Sequence, residues 1–182
     1  SNFPFAYSTA GGDTACAIAA GCAVIVKAHP AHAGTSELVA GIILKTAEMH
    51  GLPKGLFAHV HGKSNAVGEA LVKHPAVKAV GFTGSFAGGK QIFDWGKQRR
   101  EPIPVFAEMS SINPVLVLPN KIAQDVDALA SQLSASITLG VGQFCTNPGL
   151  LFVLKDGNTE TFIQKLALVL QQVNPATMLN QS

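Results

Sequence analysis

A cysteine in a glycine-rich loop is the residue of this sequence best suited to nucleophilic chemistry. Cys145 lies between Gly140 and Gly149 and is followed by Thr146-Asn147-Pro148. Backbone amides of such a loop can approach a reacting oxygen. The thiol would react as a thiolate, which requires a pKa below the reference value of about 8.5 or a nearby base. Free cysteines are also often small buried apolar side chains. The loop therefore leaves a nucleophile and a structural cysteine as alternatives.

A single carboxylate follows a short apolar segment and is the candidate general base. Glu108 comes directly after Pro104-Val-Phe-Ala107. Parallel sheets place their sites at the carboxyl edge of the strands. In apolar surroundings a carboxylate has a raised pKa and can act as a base near neutral pH. The alternative is a solvated carboxylate at a strand end.

The turn Phe82-Thr-Gly-Ser85 joins a predicted strand to a predicted helix. Backbone amides at a helix start can bind phosphate. The segment from Gly84 to Lys90 has the P-loop spacing, but Gln91 stands where that motif requires Ser or Thr. No G-x-G-x-x-G fingerprint follows the first strand. Phosphate binding and a plain turn both remain open.

Histidines and a lysine occur near the predicted strand ends. His59 and His61 share one face of a strand, and His29 and His32 are three residues apart. No cysteine or carboxylate cluster is expected beside them, so we predict no metal site. Lys27 ends a buried strand and could reach a ribose or phosphate, or could simply be the solvated end of that strand.

Short apolar segments alternate with helical periodicity along the chain. The predicted strands are residues 22–26, 56–60, 79–82, 104–107, 114–118 and 150–154. The predicted helices are 13–20, capped by Asp13, one from Thr35 to Gly51, 66–73, 88–98, one from Asp125 to about Gly140, and 162–173. This alternation predicts an α/β fold with a doubly wound, mostly parallel, Rossmann-like sheet. We predict one domain over 1–108 and an incomplete α/β domain over 109–182.

Composition excludes several classes of function. The chain has 182 residues, of which 47% are hydrophobic and 13% charged. The charged share is about half the usual ~25%, so part of the apolar surface is expected to lie against something else. A net charge of +2 without a basic stripe argues against nucleic acid or anionic lipid as partner.

Location is predicted from the cysteines and the apolar runs. The 3 cysteines form no CxxC, and no signal-peptide pattern opens the chain. These features favour a reducing cytoplasm. No apolar run reaches the ~18 residues of a membrane span.

Several motifs occur together in a characteristic order. They are Asn2-Phe3-Pro4, Val26-Lys27, Phe82-Thr-Gly-Ser85, Glu108 and Gly142-Gln-Phe-Cys145. This set resembles the aldehyde dehydrogenase superfamily over nearly the whole chain. The segments 10–14, 27–30 and 106–111 look closest to the branch that oxidises alpha-ketoglutarate semialdehyde, also called 2,5-dioxovalerate.

The resemblance implies a role for three residues. Cys145 would attack a small-molecule aldehyde to give a thiohemiacetal. The Asn2 side chain and the Cys145 backbone amide would hold the oxyanion. After hydride transfer to a nicotinamide, Glu108 would activate the water that hydrolyses the thioester. The domains would then be a cofactor-binding domain and the start of a catalytic domain.

The resemblance also implies cofactor contacts. Lys27 would contact the adenosine ribose, and the pyrophosphate would lie at the turn and helix start formed by Gly84, Ser85 and Gly89, with a looser contact near Ser64.

Two positions depart from the family pattern. Many NAD-using relatives have a glutamate three residues after the lysine, where this chain has Pro30. Without that carboxylate a 2′-phosphate is not repelled, and Lys27 and His29 would supply positive or donating groups. We therefore predict NADP as the preferred cofactor, with NAD as the alternative. Ser110-Ser111 replaces a common Gly-Gly pair, which alters the backbone path beside Glu108.

The chain is shorter than members of this family. The resemblance implies that an amino-terminal portion, an oligomerisation arm and part of the catalytic domain are missing. We expect a fragment of a homo-oligomeric enzyme that does not turn over aldehyde by itself. The alternatives are a stand-alone nucleotide-binding module with a structural Cys145, or an interaction fragment.

Overall fold

The structure, a computed structural model, describes residues 1–178 of the 182-residue chain. The helices are α1 (Gly12–Ala19), α2 (Ala33–Met49), α3 (Asn65–Lys73), α4 (Phe86–Lys97), α5 (Pro119–Gln124), α6 (Val126–Thr138) and α7 (Thr159–Gln171). The strands are β1 (Val24–Lys27), β2 (Phe57–Val60), β3 (Val80–Gly84), β4 (Val105–Met109), β5 (Pro114–Val117) and β6 (Leu150–Val153). Short 3₁₀ segments span Ala6–Ala10, Pro30–His32 and Leu139–Gly142.

Each strand pairs in parallel with one other strand. β1 pairs with β2, β3 with β4, and β5 with β6. Each pair is connected through a helical crossover, as parallel strands require. The predicted α/β class with parallel strands is confirmed. Among the described residues the strands form three two-stranded sheets rather than one continuous sheet.

The chain divides into two compact units, Ser1–Met109 and Ser110–Ser182, called here the first and second unit. Each unit has its own apolar core. The core of the first unit consists of Val26, Ala40 and Phe57, with Ile18, Val24 and Ile43 packed against it. The core of the second unit consists of Val117, Ile122, Leu129, Ala130, Leu133, Phe162 and Leu166.

Helix ends follow the sequence signals in part. The helix predicted to begin at Asp125 is α6, and Asp125 caps it, because its carboxylate accepts a 2.9 Å hydrogen bond from the Ala128 backbone N–H. The prediction that Asp13 caps α1 is wrong: Gly11 is the N-cap, and Asp13 lies inside the first turn. Helix α2 begins at Ala33 rather than at Thr35, because the 3₁₀ turn before it leads directly into the helix.

Large apolar side chains remain exposed on both units. Phe106 on β4 is 70% exposed and Leu116 on β5 is 75% exposed. This uncovered surface agrees with the low charged fraction of the sequence. None of the helices within residues 1–178 is long and apolar enough to cross a membrane.

Candidate active site

Cys145 lies on a tightly wound segment between α6 and β6. The residues before it, Gly140, Val141 and Gly142, have φ values of 58°, 60° and 72°. A left-handed conformation is rare for a β-branched residue such as Val141, and strain of this kind is often found at functional sites. The Cys145 thiol is free and exposed. Its exposure removes the burial on which the structural-cysteine interpretation depends.

Two asparagines, Asn113 and Asn147, hold this segment in place, and we call them the asparagine clamp. The Asn113 side-chain amide donates to the carbonyl oxygens of Cys145 at 2.6 Å and of Asn147 at 2.9 Å. The Ser111 hydroxyl also donates to the Cys145 carbonyl. The main chain of Cys145 is therefore anchored while its sulfur stays accessible.

The second asparagine fixes the start of the same segment. The Asn147 amide donates to the carbonyl oxygens of Ile137 at 2.7 Å and Gly142 at 2.8 Å. At the other end, the Gly149 N–H donates to the Ile112 carbonyl at 2.7 Å. A Cβ at Gly149 would lie 2.6 Å from that carbonyl oxygen, so only glycine allows this approach of two backbones.

The asparagine clamp was not predicted from the sequence. Its signal is two Asn-Pro pairs, at Asn113-Pro114 and Asn147-Pro148. Asparagine tolerates the left-handed conformation that Asn113 adopts, with φ 48°. Its amide can also donate to two carbonyls at once.

Glu108 belongs to the first unit and lies inside a strand. The predicted strand ends at residue 107, but β4 continues to Met109 and pairs Glu108 with Thr83 of β3. The Glu108 side chain is exposed. The apolar enclosure considered in the sequence analysis is therefore not formed around it by the described residues.

Asn2 also belongs to the first unit. Its backbone N–H donates to the Ser8 hydroxyl at 3.1 Å, and its carbonyl oxygen is 3.0 Å from Nε2 of His32. Its side-chain amide makes no hydrogen bond within residues 1–178. The main chain of Asn2 is thus fixed, and its amide can donate to a ligand oxygen.

The predicted cofactor residues lie at the carboxyl ends of strands in the first unit. Lys27 ends β1, and burial lowers the pKa of its ammonium group below the usual value. Ser64 is the N-cap of α3, and its hydroxyl is not used for capping. Gly84 ends β3, and Ser85 is the N-cap of α4, where its hydroxyl accepts from the Gly88 N–H at 3.2 Å.

Gly89 has a packing role that needs no cofactor. It is buried in the first turn of α4, and a Cβ there would lie 2.3 Å from the Met109 sulfur and 3.3 Å from the Phe82 ring. The missing side chain lets α4 pack closely on β3 and β4. A contact between Gly89 and a cofactor stays a prediction.

His29 provides a hydrogen-bond donor rather than a charge. Burial, followed by the positive groups of His32 and Lys27, lowers the pKa of His29 below its usual value. Its Nδ1 accepts a 3.1 Å hydrogen bond from the Ala31 N–H, so the neutral ring carries its proton on Nε2. Lys27 is then the cationic member of the pair that the sequence analysis assigned to a 2′-phosphate.

Glu37 lies against two of the histidines considered as metal ligands. Its Oε2 is 2.9 Å from Nδ1 of His59 and 2.7 Å from Nε2 of His61. Hydrogen bonds from His61 and then His59 lower the pKa of Glu37. The sequence predicted no cysteine or carboxylate cluster beside these histidines, and the single carboxylate found there comes from α2, whose packing on β2 is not visible in residue spacing.

The site residues are divided between the units. Cys145 and the asparagine clamp belong to the second unit, whereas every other predicted site residue belongs to the first. Several predicted cofactor residues of the first unit lie at or after strand ends, whereas Asn113 and Cys145 precede the first residues of β5 and β6. Ligand-binding groups at the carboxyl ends of parallel strands are typical of open α/β sheets, and this rule fits the predicted cofactor residues of the first unit, not Cys145.

Comparison with known proteins identifies the family. The sequence profile of the Aldehyde dehydrogenase family matches residues 2–181. The chain belongs to this family.

Two curated relatives match the whole chain. It is 51% identical over 181 residues to Alpha-ketoglutaric semialdehyde dehydrogenase 2 of Azospirillum brasilense, covering 100% of this chain and 34% of that protein. It is 46% identical over 181 residues to Alpha-ketoglutaric semialdehyde dehydrogenase of Acinetobacter baylyi, with the same coverage of 100% and 34%. The chain therefore spans about one third of the length of these relatives.

A solved structure has the same fold. The crystal structure of an NAD-dependent aldehyde dehydrogenase from Sinorhizobium meliloti matches with a TM-score of 0.73 and 27% identity, covering 88% of this chain and 30% of that chain. This likeness confirms the predicted fold class.

Proposed function

We propose that the protein containing this chain oxidises an aldehyde to a carboxylic acid with a nicotinamide cofactor, and that its substrate is alpha-ketoglutarate semialdehyde. Membership of the aldehyde dehydrogenase family supports the reaction class. The identities of 51% and 46% to the two alpha-ketoglutaric semialdehyde dehydrogenases support the substrate.

Three residues of this chain carry the proposed chemistry. Cys145 attacks the aldehyde carbon, and the oxyanion of the thiohemiacetal is held by the Asn2 amide and the Cys145 backbone N–H. The thiohemiacetal carbon would lose its hydride to the nicotinamide when that cofactor is bound, which leaves a thioester on Cys145. Glu108 then takes a proton from the water that attacks the thioester, and the carboxylic acid leaves Cys145.

The residues at the strand ends of the first unit fit a dinucleotide. Helix α4 presents first-turn N–H groups beyond Ser85, which suits a pyrophosphate. Lys27 supplies one positive charge, and His29 supplies a neutral donor at Nε2. No carboxylate occupies position 30. We therefore propose NADP as the preferred cofactor and NAD as the alternative.

This proposal is supported most directly by one observation: the Cys145 thiol is exposed while the main chain of Cys145 is anchored. An oxyanion site needs donors that are fixed before the reaction, and the asparagine clamp restrains Cys145 by binding its carbonyl oxygen, while leaving its backbone N–H to act as a donor. The competing candidate is a nucleotide-binding or interaction module in which Cys145 is structural. Such a module has no need for an exposed sulfur on a fixed loop.

Selective alkylation distinguishes these two functions. All three cysteines are exposed, so accessibility alone gives them similar rates. A nucleophile with thiolate character should react with limiting iodoacetamide at least about tenfold faster at Cys145 than at Cys16 and Cys22, as read by mass mapping. Equal rates at the three thiols would refute the catalytic assignment.

Activity tests the reaction directly. The protein containing this chain should reduce NADP when alpha-ketoglutarate semialdehyde is added, and Cys145→Ser should abolish this activity. Cys22→Ser is the matched control and should keep it. We propose that the isolated 182-residue chain is inactive, since its relatives have about three times its length. Aldehyde-dependent NADPH formation by the isolated chain would contradict this part.

The oligomer is implied by the family resemblance, whereas the location and the excluded partners were predicted from the cysteines, the apolar runs and the charge. We propose a homo-oligomer in the cytoplasm that acts on a small molecule and binds neither nucleic acid nor membrane. Sedimentation analysis of the protein containing this chain tests the oligomer, and cell fractionation tests the location.

A further inference from the structure

We propose that Glu37, His59 and His61 form a binding site for a divalent transition-metal ion such as Zn²⁺. These three residues are called here the His-Glu-His cluster. Their ligand atoms all lie within 4.8 Å of one another. The proposal concerns the first unit alone and does not depend on the proposed activity.

The cluster has suitable ligand chemistry. Imidazole nitrogens and a carboxylate oxygen are common ligands of first-row divalent ions, and three protein ligands leave positions open for water. His59 lies in β2, and His61 directly follows the strand. Because the two are two residues apart, their side chains point to the same face. Glu37 approaches this face from α2, and its Oε2 lies within 2.9 Å of one nitrogen of each ring.

The second nitrogen of His59 is held by buried hydroxyls. Its Nε2 is 2.9 Å from the Ser36 hydroxyl, which is 2.6 Å from the Thr9 hydroxyl. Ser36 and Thr9 are both 0% exposed. Metal-binding histidines are usually oriented by such a partner on the opposite ring nitrogen. The His59 ring is therefore oriented before any ion arrives.

Access to the cluster is open. The His59 side chain is 3% exposed, whereas those of His61 and Glu37 are 46% and 63% exposed. His59 is thus fixed in the interior, whereas the side chains of His61 and Glu37 can change conformation at the surface. The rings of His59 and His61 meet edge to face with centroids 4.7 Å apart, and one nitrogen of each already faces Oε2 of Glu37.

Titration of the purified protein with Zn²⁺ after chelator treatment tests the site. We expect one ion per chain in the wild type. His61→Ala and Glu37→Gln should each weaken binding at least tenfold, because loss of an outer partner alone costs 10–100-fold. Both positions are exposed, so these variants should fold. His50→Ala removes an exposed histidine outside the cluster and should bind like the wild type.

Two further measurements make the test decisive. The melting temperature should rise with Zn²⁺ in the wild type and not in His61→Ala, since an ion bound only to the native state stabilises it. The absorption spectrum of Co²⁺ bound to the protein should be that of an ion with nitrogen and oxygen ligands. A thiolate-to-cobalt band would locate the ion at a cysteine instead. That band, no binding, or equal binding by the wild type and both cluster variants would overturn the proposal and leave a hydrogen-bonded cluster only.

Discussion

The Asn113 side chain donates a 2.6 Å hydrogen bond to the carbonyl oxygen of Cys145, 32 residues further along the chain. This bond joins the start of β5 to the loop that carries the candidate nucleophile. It holds the carbonyl of Cys145 and does not contact the sulfur. Asn113 therefore positions the residue, whereas the thiol of Cys145 remains free to react.

Removal of this contact should affect both stability and reactivity. Asn113→Ala deletes the hydrogen bonds to the carbonyls of Cys145 and Asn147. At about 0.5–1.5 kcal/mol for each bond, the free energy of unfolding should fall by roughly 1–3 kcal/mol in urea titrations. The preference of iodoacetamide for Cys145 should also fall, because the loop is no longer fixed.

An exposed asparagine on α5 provides the control. Asn120→Ala should change the free energy of unfolding by no more than about 0.5 kcal/mol and leave the alkylation pattern intact. An Asn113→Ala protein with wild-type stability and wild-type selectivity would show that the clamp does not hold the loop.

Local patterns predicted the six strands and six of the helices within residues 1–178, but neither the short helix α5 nor the contacts between distant residues. Alternating apolar runs and helical periods depend on neighbouring residues, so the six strands were found within about two residues at each end. Cys145 was found because its loop composition is local. The asparagine clamp and the contact between Glu37 and His59 join residues 32 and 22 positions apart, which residue spacing cannot reveal.

The core of the second unit should depend on Phe162. Its side chain is 1% exposed, whereas its neighbour Ile163 on the same helix is 51% exposed. Phe162→Ala should lower the free energy of unfolding by about 3–5 kcal/mol, because it leaves a cavity. Ile163→Ala should cost less than about 1.5 kcal/mol, since half of its surface already contacts water. Equal losses in the two variants would contradict this core.

His29 should make stability depend on pH. Its pKa is lowered in the folded state, mainly by burial and also by His32 and Lys27. Below the reference value of about 6.5 the unfolded chain therefore binds more protons than the folded chain. The stabilising contribution of neutral His29 is complete above that value and is lost as the pH falls through the folded pKa.

Unfolding in urea at pH 7.5 and 5.5 measures this contribution. His29→Gln should lose less stability between the two pH values than the wild type does. His74 is a matched control, because its Nδ1 also accepts from the N–H two residues ahead, at 3.2 Å, but on an exposed surface. His74→Gln should behave like the wild type. The same loss in all three proteins would exclude His29 as the source.

Position 30 should set the choice between NADP and NAD. Pro30 begins the 3₁₀ turn after Lys27 and is exposed, so a longer side chain fits there. In Pro30→Glu the new carboxylate can accept from both ribose hydroxyls of NAD and repels a 2′-phosphate. The ratio of kcat/KM for NADP over NAD should fall at least about tenfold, which corresponds to about 1.4 kcal/mol. Pro30→Gln has nearly the same shape without the charge, and it should keep most of the preference for NADP. Equal shifts in both variants would assign the effect to the loss of proline rather than to charge, and strict use of NAD by the wild type would refute the cofactor proposal itself.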